Sequence, residues 1–323
     1  MIYHTFPYPL IEDYALPKMK KKVWKMYFFH QFFVFNKDNT VIFYDMKKKK
    51  IDYVFRKKCT TFSRINDDII LLMNQTNAYM FNYKTKRVEE KCSLWFPSIL
   101  VQSVFIKNNY LITFCKEYMY VIDNFKANKN MNSVTIIEYG NDDVNNCNVL
   151  EINDEIIAIF MTTRPMYPYV LLFNINTKQI VTTIHETTFY INKLSGKLEK
   201  SLVKNKPIIR ISKRKGADEK ELILLSQECY DFLDKNKIEK YFSIVENKLI
   251  GYIEKVDDYC FSVKIMDVEK LEIIQQIDYA GDKFILYSLI RNKEFIIFKI
   301  QQSFFALKIN FDNCKKYLSN KEI

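Results

Sequence analysis

One short phrase recurs along the chain and constrains its fold more than any other feature. Each copy consists of one apolar residue, two or three turn-forming residues, and then an apolar run. Clear copies begin at Ile65, Ile106, Ile152, Val245 and Ile290. Apolar runs joined by a short turn that contains Asn or Asp are typical of a β-hairpin. The copies lie 41 to 46 residues apart, apart from one double interval of 93, and a weaker copy begins at Phe29. This period predicts seven units of a propeller or array, with one copy hidden inside the double interval.

A second phrase runs in step with the first, and it is an apolar strand that ends in Asp or Asn. Its copies end at Asp45, Asn82, Asp123, Asn174, Asp267 and Asn310. The double gap falls at the same place in both phrases. Because two independent patterns agree on one register, the repeat is better supported than either pattern alone would make it.

The predicted fold class is all-β, with a single seven-bladed propeller of four-stranded blades and an irregular fifth blade. Each of the first four units contains four β-branched or aromatic runs of about the length of a strand. Residues 1–21 are predicted to be an N-terminal arm, in which Ile2 to Phe6 offers a strand that can close the last blade. Residues 22–323 form the propeller, and 186–240 is its irregular region. No helix of ordinary length is expected, and the last blade is expected to end near Tyr317.

The irregular region allows more than one local structure. Leu194, Leu198 and Leu202 have helical spacing, which favours a short amphipathic insert. The segment from Val203 to Ile208 is a candidate for the hidden copy of the first phrase. Strands are then expected at 208–212 and 222–225, with a loop at 213–221 between them.

The second phrase resembles the repeat of the WD40 family of propellers. In that family the strand ends in a Trp-Asp dipeptide, and here Tyr44-Asp45, Ile122-Asp123 and Met266-Asp267 stand in its place. The family's Gly-His pair is absent, so no subfamily is indicated. The resemblance covers nearly the whole chain, and it implies a propeller that serves as a non-catalytic interaction platform.

The charge of the chain allows two interpretations. Its 323 residues carry a formal net charge of +11, and such a charge suits an acidic partner such as nucleic acid, anionic lipid or an acidic protein surface. However, Lys greatly outnumbers Arg, and the chain has 26 Phe and 22 Tyr but only 5 Gly. That composition is typical of an AT-rich coding sequence, and this second interpretation is the one we favour.

Cysteine usage and the N-terminus bear on the compartment. The seven cysteines are scattered and never form a C-x-x-C pair, so they predict neither a disulfide framework nor a zinc site but reduced, buried side chains. The N-terminus has no basic segment followed by an apolar stretch, and no run approaches membrane-spanning length. These features predict a protein of the cytoplasm, or alternatively the nucleus, without a signal peptide.

Residues that could carry catalysis are sparse. The three histidines, His4, His30 and His185, lie far apart in sequence, and His30 falls in a predicted turn. We find no phosphate-binding glycine loop and no nucleophile elbow. The sequence therefore predicts no catalytic, cofactor-binding or metal-binding residue, no cofactor, and no enzymatic activity.

The turns that join the third and fourth strands of the predicted blades carry many basic residues. In a propeller, all such turns open on the same face. The candidate binding residues are Lys47, Lys48, Lys49, Lys50, Lys84, Lys86, Arg87, Lys126, Lys129, Lys178, Lys270, Lys315 and Lys316. We favour a solvated, non-binding edge for this set, and we expect only the run Lys47 to Lys50 to exceed that background.

These patterns predict a non-enzymatic scaffold for protein–protein interactions, as a subunit of a larger intracellular assembly. The alternative function is a propeller whose basic turns bind RNA or anionic membrane lipids directly.

Overall fold

The computed structural model describes most of the chain. The described residues are 2–4, 7–16, 23–37, 40–98, 100–106, 110–125, 134–138, 144–163, 168–184, 188–192, 197–199, 208–212, 227–236, 238, 241–245, 248–281, 283–284, 286–300 and 303–320. The chain divides into two compact units. One unit is residues 22–213, and the other combines residues 1–21 with residues 214–323.

The unit of residues 22–213 begins with four antiparallel sheets, each of four strands in chain order. Two short strands precede it, β1 (Ile2–His4) and β2 (Ile11–Asp13). The first sheet contains β3 (Val23–Phe29), β4 (Phe32–Lys37), β5 (Thr40–Asp45) and β6 (Lys50–Phe55). The second contains β7 (Thr61–Arg64), β8 (Ile69–Met73), β9 (Asn77–Asn82) and β10 (Arg87–Ser93). The third contains β11 (Gln102–Ile106), β12 (Tyr110–Phe114), β13 (Tyr118–Ile122) and β14 (Val134–Glu138). The fourth contains β15 (Val144–Glu151), β16 (Ile156–Thr163), β17 (Pro168–Asn174) and β18 (Gln179–Ile184).

The core of this unit lies between successive sheets, whose middle strands are buried on both faces. Between the first and second sheets, the rings of Phe43 and Phe81 lie 5.3 Å apart. The first strands of neighbouring sheets lie side by side, with β7 in contact with β3 and β11, and β11 in contact with β15. Between β7 and β11 the Thr61 hydroxyl donates to Ser103 Oγ at 3.0 Å, and the Phe105 amide donates to Ser63 Oγ at 2.6 Å. Four-stranded sheets therefore stack face to face, with their first strands adjacent.

The fifth sheet departs from this pattern. It contains β19 (Thr188–Asn192), β20 (Leu198–Glu199) and β21 (Ile208–Ser212), with β19 in the middle. The predicted strand at 208–212 is confirmed. A helix through Leu198 is wrong, because Leu198 pairs with Ile191 of β19. Leu194, Leu202, the loop at 213–221 and the strand expected at 222–225 lie outside the described residues.

In its described residues the second unit contains two further sheets and two helices. The helix α1 (Gln227–Lys235) precedes β22 (Tyr241–Val245), β23 (Leu249–Lys255), β24 (Cys260–Asp267) and β25 (Glu272–Ala280), which form the sixth sheet. The last sheet contains β26 (Leu286–Arg291), β27 (Phe295–Ile300) and β28 (Ser303–Ile309), and α2 (Phe311–Ser319) follows it. The all-β class and the repeated four-stranded antiparallel sheets are thus confirmed.

The expectation that the chain has no helix of ordinary length is wrong at two places. In α2 the side chain of Asn310 accepts a hydrogen bond from the Asn313 amide, which caps the helix, and Cys314 is buried. In α1 Cys229 and Leu233, one turn apart, pack against the sixth sheet. Each helix packs one apolar face against a sheet, with its apolar residues three or four positions apart. In the sequence this helical spacing lies close to apolar strand runs, so the helices were not distinguished from strands.

Segments near the N-terminus complete the edges of the two sheets in this unit. Strand β1 pairs with β25 of the sixth sheet rather than with the last sheet, and β2 pairs with β28 of the last sheet. The fourth position of the last sheet is therefore filled by Ile11–Asp13, while the chain after β28 turns into α2. The treatment of residues 1–21 as a separate arm stays a prediction.

Candidate interaction surface at the lysine-rich turns

In four sheets the strand of the second phrase ends in a side chain that caps the turn after it. In the first sheet, Asp45 Oδ1 accepts hydrogen bonds from the amides of Lys47 and Lys48, both at 2.9 Å. The Asp45 side chain is fully buried, and its second oxygen accepts from Gln31 Nε2 at 3.2 Å. Asp and Asn cap a turn in this way because their oxygen reaches the backbone two and three residues further on.

The same turn recurs in three other sheets. The amides two and three residues later are bound by Asn82 Oδ1 at 3.0 and 3.1 Å, by Asn174 Oδ1 at 2.9 and 3.0 Å, and by Asp267 Oδ1 at 3.0 and 3.2 Å. In these four sheets the residue after the cap donates its amide to the loop between the first two strands. The Asp or Asn of the second phrase is therefore a structural requirement of the turn.

The fourth residue after each cap has a left-handed backbone. These residues are Lys49, Lys86, Lys178 and Leu271, with φ of 52°, 59°, 57° and 55°. The pairing of the third and fourth strands shifts register near each of these turns. A left-handed residue followed by such a shift closes a hairpin with a β-bulge, a position that favours glycine. This chain, with few glycines, uses Lys there in three of the four turns.

The left-handed lysine of the second sheet binds the first sheet. Lys86 forms an ion pair with Asp52 of β6, and its ammonium lies 5.3 Å from the centroid of the Phe32 ring and 5.9 Å from that of Tyr53. Both partners of the ion pair are half-buried. Lys86 thus joins two neighbouring sheets through a charge pair and two aromatic rings.

The left-handed lysine of the fourth sheet has the corresponding role. Lys178 forms an ion pair with Asp123, which lies at the end of β13 in the third sheet. Two lysines of the predicted binding face therefore stabilise contacts between sheets, and their charges are matched by carboxylates. The sequence shows an acidic residue on the repeat that precedes each of these two lysines. Which lysine pairs with which acidic residue could not be predicted, because this depends on how neighbouring sheets align.

The other predicted residues differ in their surroundings. Lys84 pairs with Asp68 at 2.6 Å, and the hydrogen bond that the Lys84 ammonium donates to the Asp68 carboxylate raises the pKa of Lys84. The side chains of Lys47, Lys48, Lys49, Lys50, Arg87 and Lys270 are exposed at their turns, with Lys48 Nζ 4.0 Å from the Asp45 carboxylate. Lys126 and Lys129 lie outside the described residues.

Lys315 and Lys316 do not belong to a turn between strands. Both lie on α2, where Lys316 Nζ is 5.3 Å from the centroid of the Tyr8 ring. Their assignment to the last blade's turn is wrong, because the fourth strand of the last sheet comes from residues 11–13. The proposal that the remaining residues form one binding face stays a prediction.

The histidines and cysteines have structural surroundings where they are described. His30 lies in the β3–β4 turn with φ of 54°, and its Nε2 is 2.7 Å from the Asp67 carbonyl oxygen. Six of the seven cysteines are buried, as predicted, and Cys260 is half-buried. Among the described residues no group of three His, Cys, Asp or Glu side chains has an arrangement that could hold a metal ion.

Comparisons with known proteins do not assign this chain to a family. No family model matches the chain, and no curated protein matches it. Among solved structures, a chain of the "Crystal Structure of Mitotic Checkpoint Complex" matches with 8% sequence identity and a TM-score of 0.46. The match covers 89% of this chain and 76% of that chain. At this score the likeness carries no weight for fold or function. Within the described residues, no helix has the length and apolar character needed to cross a bilayer.

Proposed function

We propose that the chain forms one seven-bladed, WD40-like propeller that acts as a non-enzymatic scaffold for protein partners. The four stacked sheets of residues 22–213 support the fold, since their first strands lie side by side. The sixth sheet supports it too, because it has the same capped turn as three of those four. The three-stranded sheet then takes the place of an irregular fifth blade. The partners are other protein subunits of an assembly in the cytoplasm or nucleus.

The observation that carries the scaffold function is a set of exposed aliphatic side chains at the sheet edges. Each of the first four sheets has at least one on its fourth strand, and the most exposed are Ile51, Val88, Ile136 and Val181, which are 41 to 59% exposed. Each fourth strand pairs on one side only within its sheet. An open strand edge presents unpaired backbone groups with which a strand of another protein can pair, and exposed aliphatic side chains beside it add apolar area to such a contact. The buried carboxylates Asp45 and Asp267, by contrast, are engaged in capping turns.

Purification of the tagged chain from its own cells at about 0.15 M and about 0.5 M salt tests this function. Contacts through apolar edges weaken little with salt, because screening acts on charges. We therefore expect the same proteins, in fixed ratio to the chain, at both salt concentrations by quantitative mass spectrometry. Recovery of the chain alone at both concentrations would contradict the scaffold function.

Direct binding of RNA or anionic lipid is the second candidate, and the exposed turn Lys47 to Lys50 favours it. If these four lysines contact four phosphates of a single strand, the log–log slope of affinity against salt should be about −2.8. Lys84, Lys86 and Lys178 should contribute less to the binding of RNA or anionic lipid, because each already forms an ion pair with a carboxylate.

The quadruple change of Lys47, Lys48, Lys49 and Lys50 to Glu separates the two candidates. The direct-binding function predicts that a labelled RNA oligonucleotide or anionic liposomes lose affinity for this variant at physiological salt. The scaffold function predicts that the variant still recovers the same protein partners. The variant should remain folded, because solvated charges in a turn contribute little to stability.

A further inference from the structure

A second surface lies at the opposite end of the first two sheets from the lysine-rich turns. Strand β6 runs away from Lys47–Lys50 and ends at Phe55, so the linker of residues 56–60 lies at its far end. Arg56, Lys57 and Lys58 of this linker are exposed. The next residue, Cys59, is buried, and the Thr60 amide donates to the Met73 carbonyl at 2.7 Å. The three consecutive cations therefore lie directly before a backbone segment that is fixed by burial and by a hydrogen bond.

The linker after the second sheet presents an indole at the same end. Trp95 follows β10 and is 71% exposed, while its neighbours Leu94 and Phe96 are buried. The Leu94 amide donates to the Thr76 carbonyl at 2.9 Å, and the Phe96 amide donates to the Gln75 carbonyl at 3.0 Å. The backbone on both sides of Trp95 is therefore anchored by hydrogen bonds. Because the side chains before and after Trp95 point into the core, its indole points into solvent.

Both linkers flank one turn, which joins β8 to β9. Asn74 Oδ1 caps this turn by accepting from the amides of Thr76 and Asn77, both at 2.9 Å. The Nδ2 group of the same Asn74 donates to the Lys58 carbonyl at 2.8 Å. The three cations and the indole therefore belong to one hydrogen-bonded framework. Such a fixed arrangement lowers the entropy that a partner's binding would otherwise cost.

The composition of this surface selects the kind of partner. None of Arg56, Lys57 and Lys58 forms an ion pair with a described residue, so an acidic partner would complement their charge. Trp and Arg are the residue types most enriched at the centres of protein interfaces. Single-stranded nucleic acid is less suited, because it stacks successive bases on several aromatic rings. Among the residues of 22–213 whose side chains the structure describes, Trp95 is the one exposed Trp, Tyr or Phe.

We propose that Arg56, Lys57, Lys58 and Trp95 bind an acidic protein segment that inserts one apolar side chain against the indole. The proposal rests on the scaffold function and names one docking surface for it. The carboxylates of the segment pair with the linker cations, and its apolar side chain covers Trp95. This surface lies at the ends of the fourth strands β6 and β10, opposite the lysine-rich turns.

The test is selection of a random 12-residue peptide library on the full-length chain, followed by affinity measurement of the enriched peptides. We expect enriched peptides to be acidic with at least one aromatic or aliphatic residue. Trp95→Ala should weaken them roughly 30-fold, as expected for a central interface residue. In a Trp24→Phe background, Trp95 is the sole indole, and bound peptide should protect its fluorescence from quenching by acrylamide.

A matched pair of charge reversals tests the cations. The triple change of Arg56, Lys57 and Lys58 to Glu should abolish binding. The triple change of Lys47, Lys48 and Lys50 to Glu alters the net charge equally at the opposite end of the first sheet and should leave affinity within about twofold. Circular dichroism of each variant confirms that it is folded.

Equal affinity of the enriched peptides for the parent chain and for Trp95→Ala would overturn the proposal. So would equal losses from the two charge reversals, or tighter binding of a 12-nucleotide oligouridine that depends on Trp95. If partners are still recovered with the tagged chain after such a result, the scaffold function stands and only this docking surface is wrong.

Discussion

The buried side chain of Gln275 is expected to hold the N-terminal segment in place. Gln275 lies on β25 and is 1% exposed. Its Oε1 accepts from the amides of Leu10 and Ile11 at 2.7 and 3.0 Å, and its Nε2 donates to the Ile11 carbonyl at 2.8 Å. One amide side chain therefore satisfies three backbone groups at the point where β2 begins, so Gln275→Ala should release this segment.

The size of the effect follows from the bonds that are lost. Each hydrogen bond contributes about 1 kcal/mol net, so Gln275→Ala should lower the free energy of local opening at Leu10 and Ile11 by roughly 3 kcal/mol. The cost is higher if the three backbone groups stay dry, since an unsatisfied buried group costs about 1 to 3 kcal/mol. A change of 3 kcal/mol corresponds to amide exchange roughly 100-fold faster.

Hydrogen–deuterium exchange with mass spectrometry of the peptide that contains Leu10 and Ile11 measures this change. Gln276→Ala is the matched control, because the Gln276 side chain lies nearer the surface and donates to Asp278 at 2.6 Å instead of to the N-terminal segment. Exchange in that control should match the parent protein. If Leu10 and Ile11 exchange at the parent rate in Gln275→Ala, the account of how the N-terminal segment is held is refuted.

Three further predictions concern the turns, one close contact and the thiols. Asp45→Ala should lower the free energy of unfolding by about 1 to 2 kcal/mol in urea titrations, and Asp45→Asn should retain most of the stability because it keeps the capping oxygen. Equal losses in both variants would rule out capping as the cause. Gly251→Ala should lower the melting temperature, because its Cβ would lie 2.2 Å from Cε2 of the buried Phe242 ring; the expected cost is about 1 to 3 kcal/mol. An unchanged melting temperature would show that the ring moves freely. Burial raises the pKa of the Cys59 thiol to about 12, so at pH 8 this thiol stays protonated and should react with iodoacetamide only after denaturation, whereas the half-buried Cys260 reacts first. Peptide mapping that finds Cys59 modified before Cys260 would contradict this order.

The repeat could be predicted because its turns are local. Asp45 and its equivalents bind amides only two and three residues away, so the strand, the capping residue and the turn are adjacent in the sequence. The same holds for the first phrase, in which Asn66 Oδ1 accepts from the amides of Asp68 and Ile69 at 2.9 and 2.8 Å. Strand positions in the first four sheets follow from this local chemistry and from the continuous apolar runs of their buried middle strands.

Features that depend on distant pairing could not be predicted from the sequence. The last sheet takes its outer strand from residues 11–13, so the chain after β28 is available for a helix although the repeat predicts a strand. The lysine-rich turns were predicted as a set of similar charges. Lys86 and Lys178 nevertheless bind carboxylates of neighbouring sheets, a pairing that depends on how the sheets stack. Trp95 was not predicted as a binding residue, because its exposure between buried neighbours and its place near the linker of Arg56 depend on the fold.

A crystal structure of the full-length chain tests the central claim most directly, namely that each pair of recurring phrases marks one blade of a single propeller. The account predicts seven sheets around one axis, with residues 188–212 in the irregular fifth blade and residues 11–13 as the outer strand of the last. A ring of six or eight blades, or two separate sheet stacks without a common axis, would contradict it.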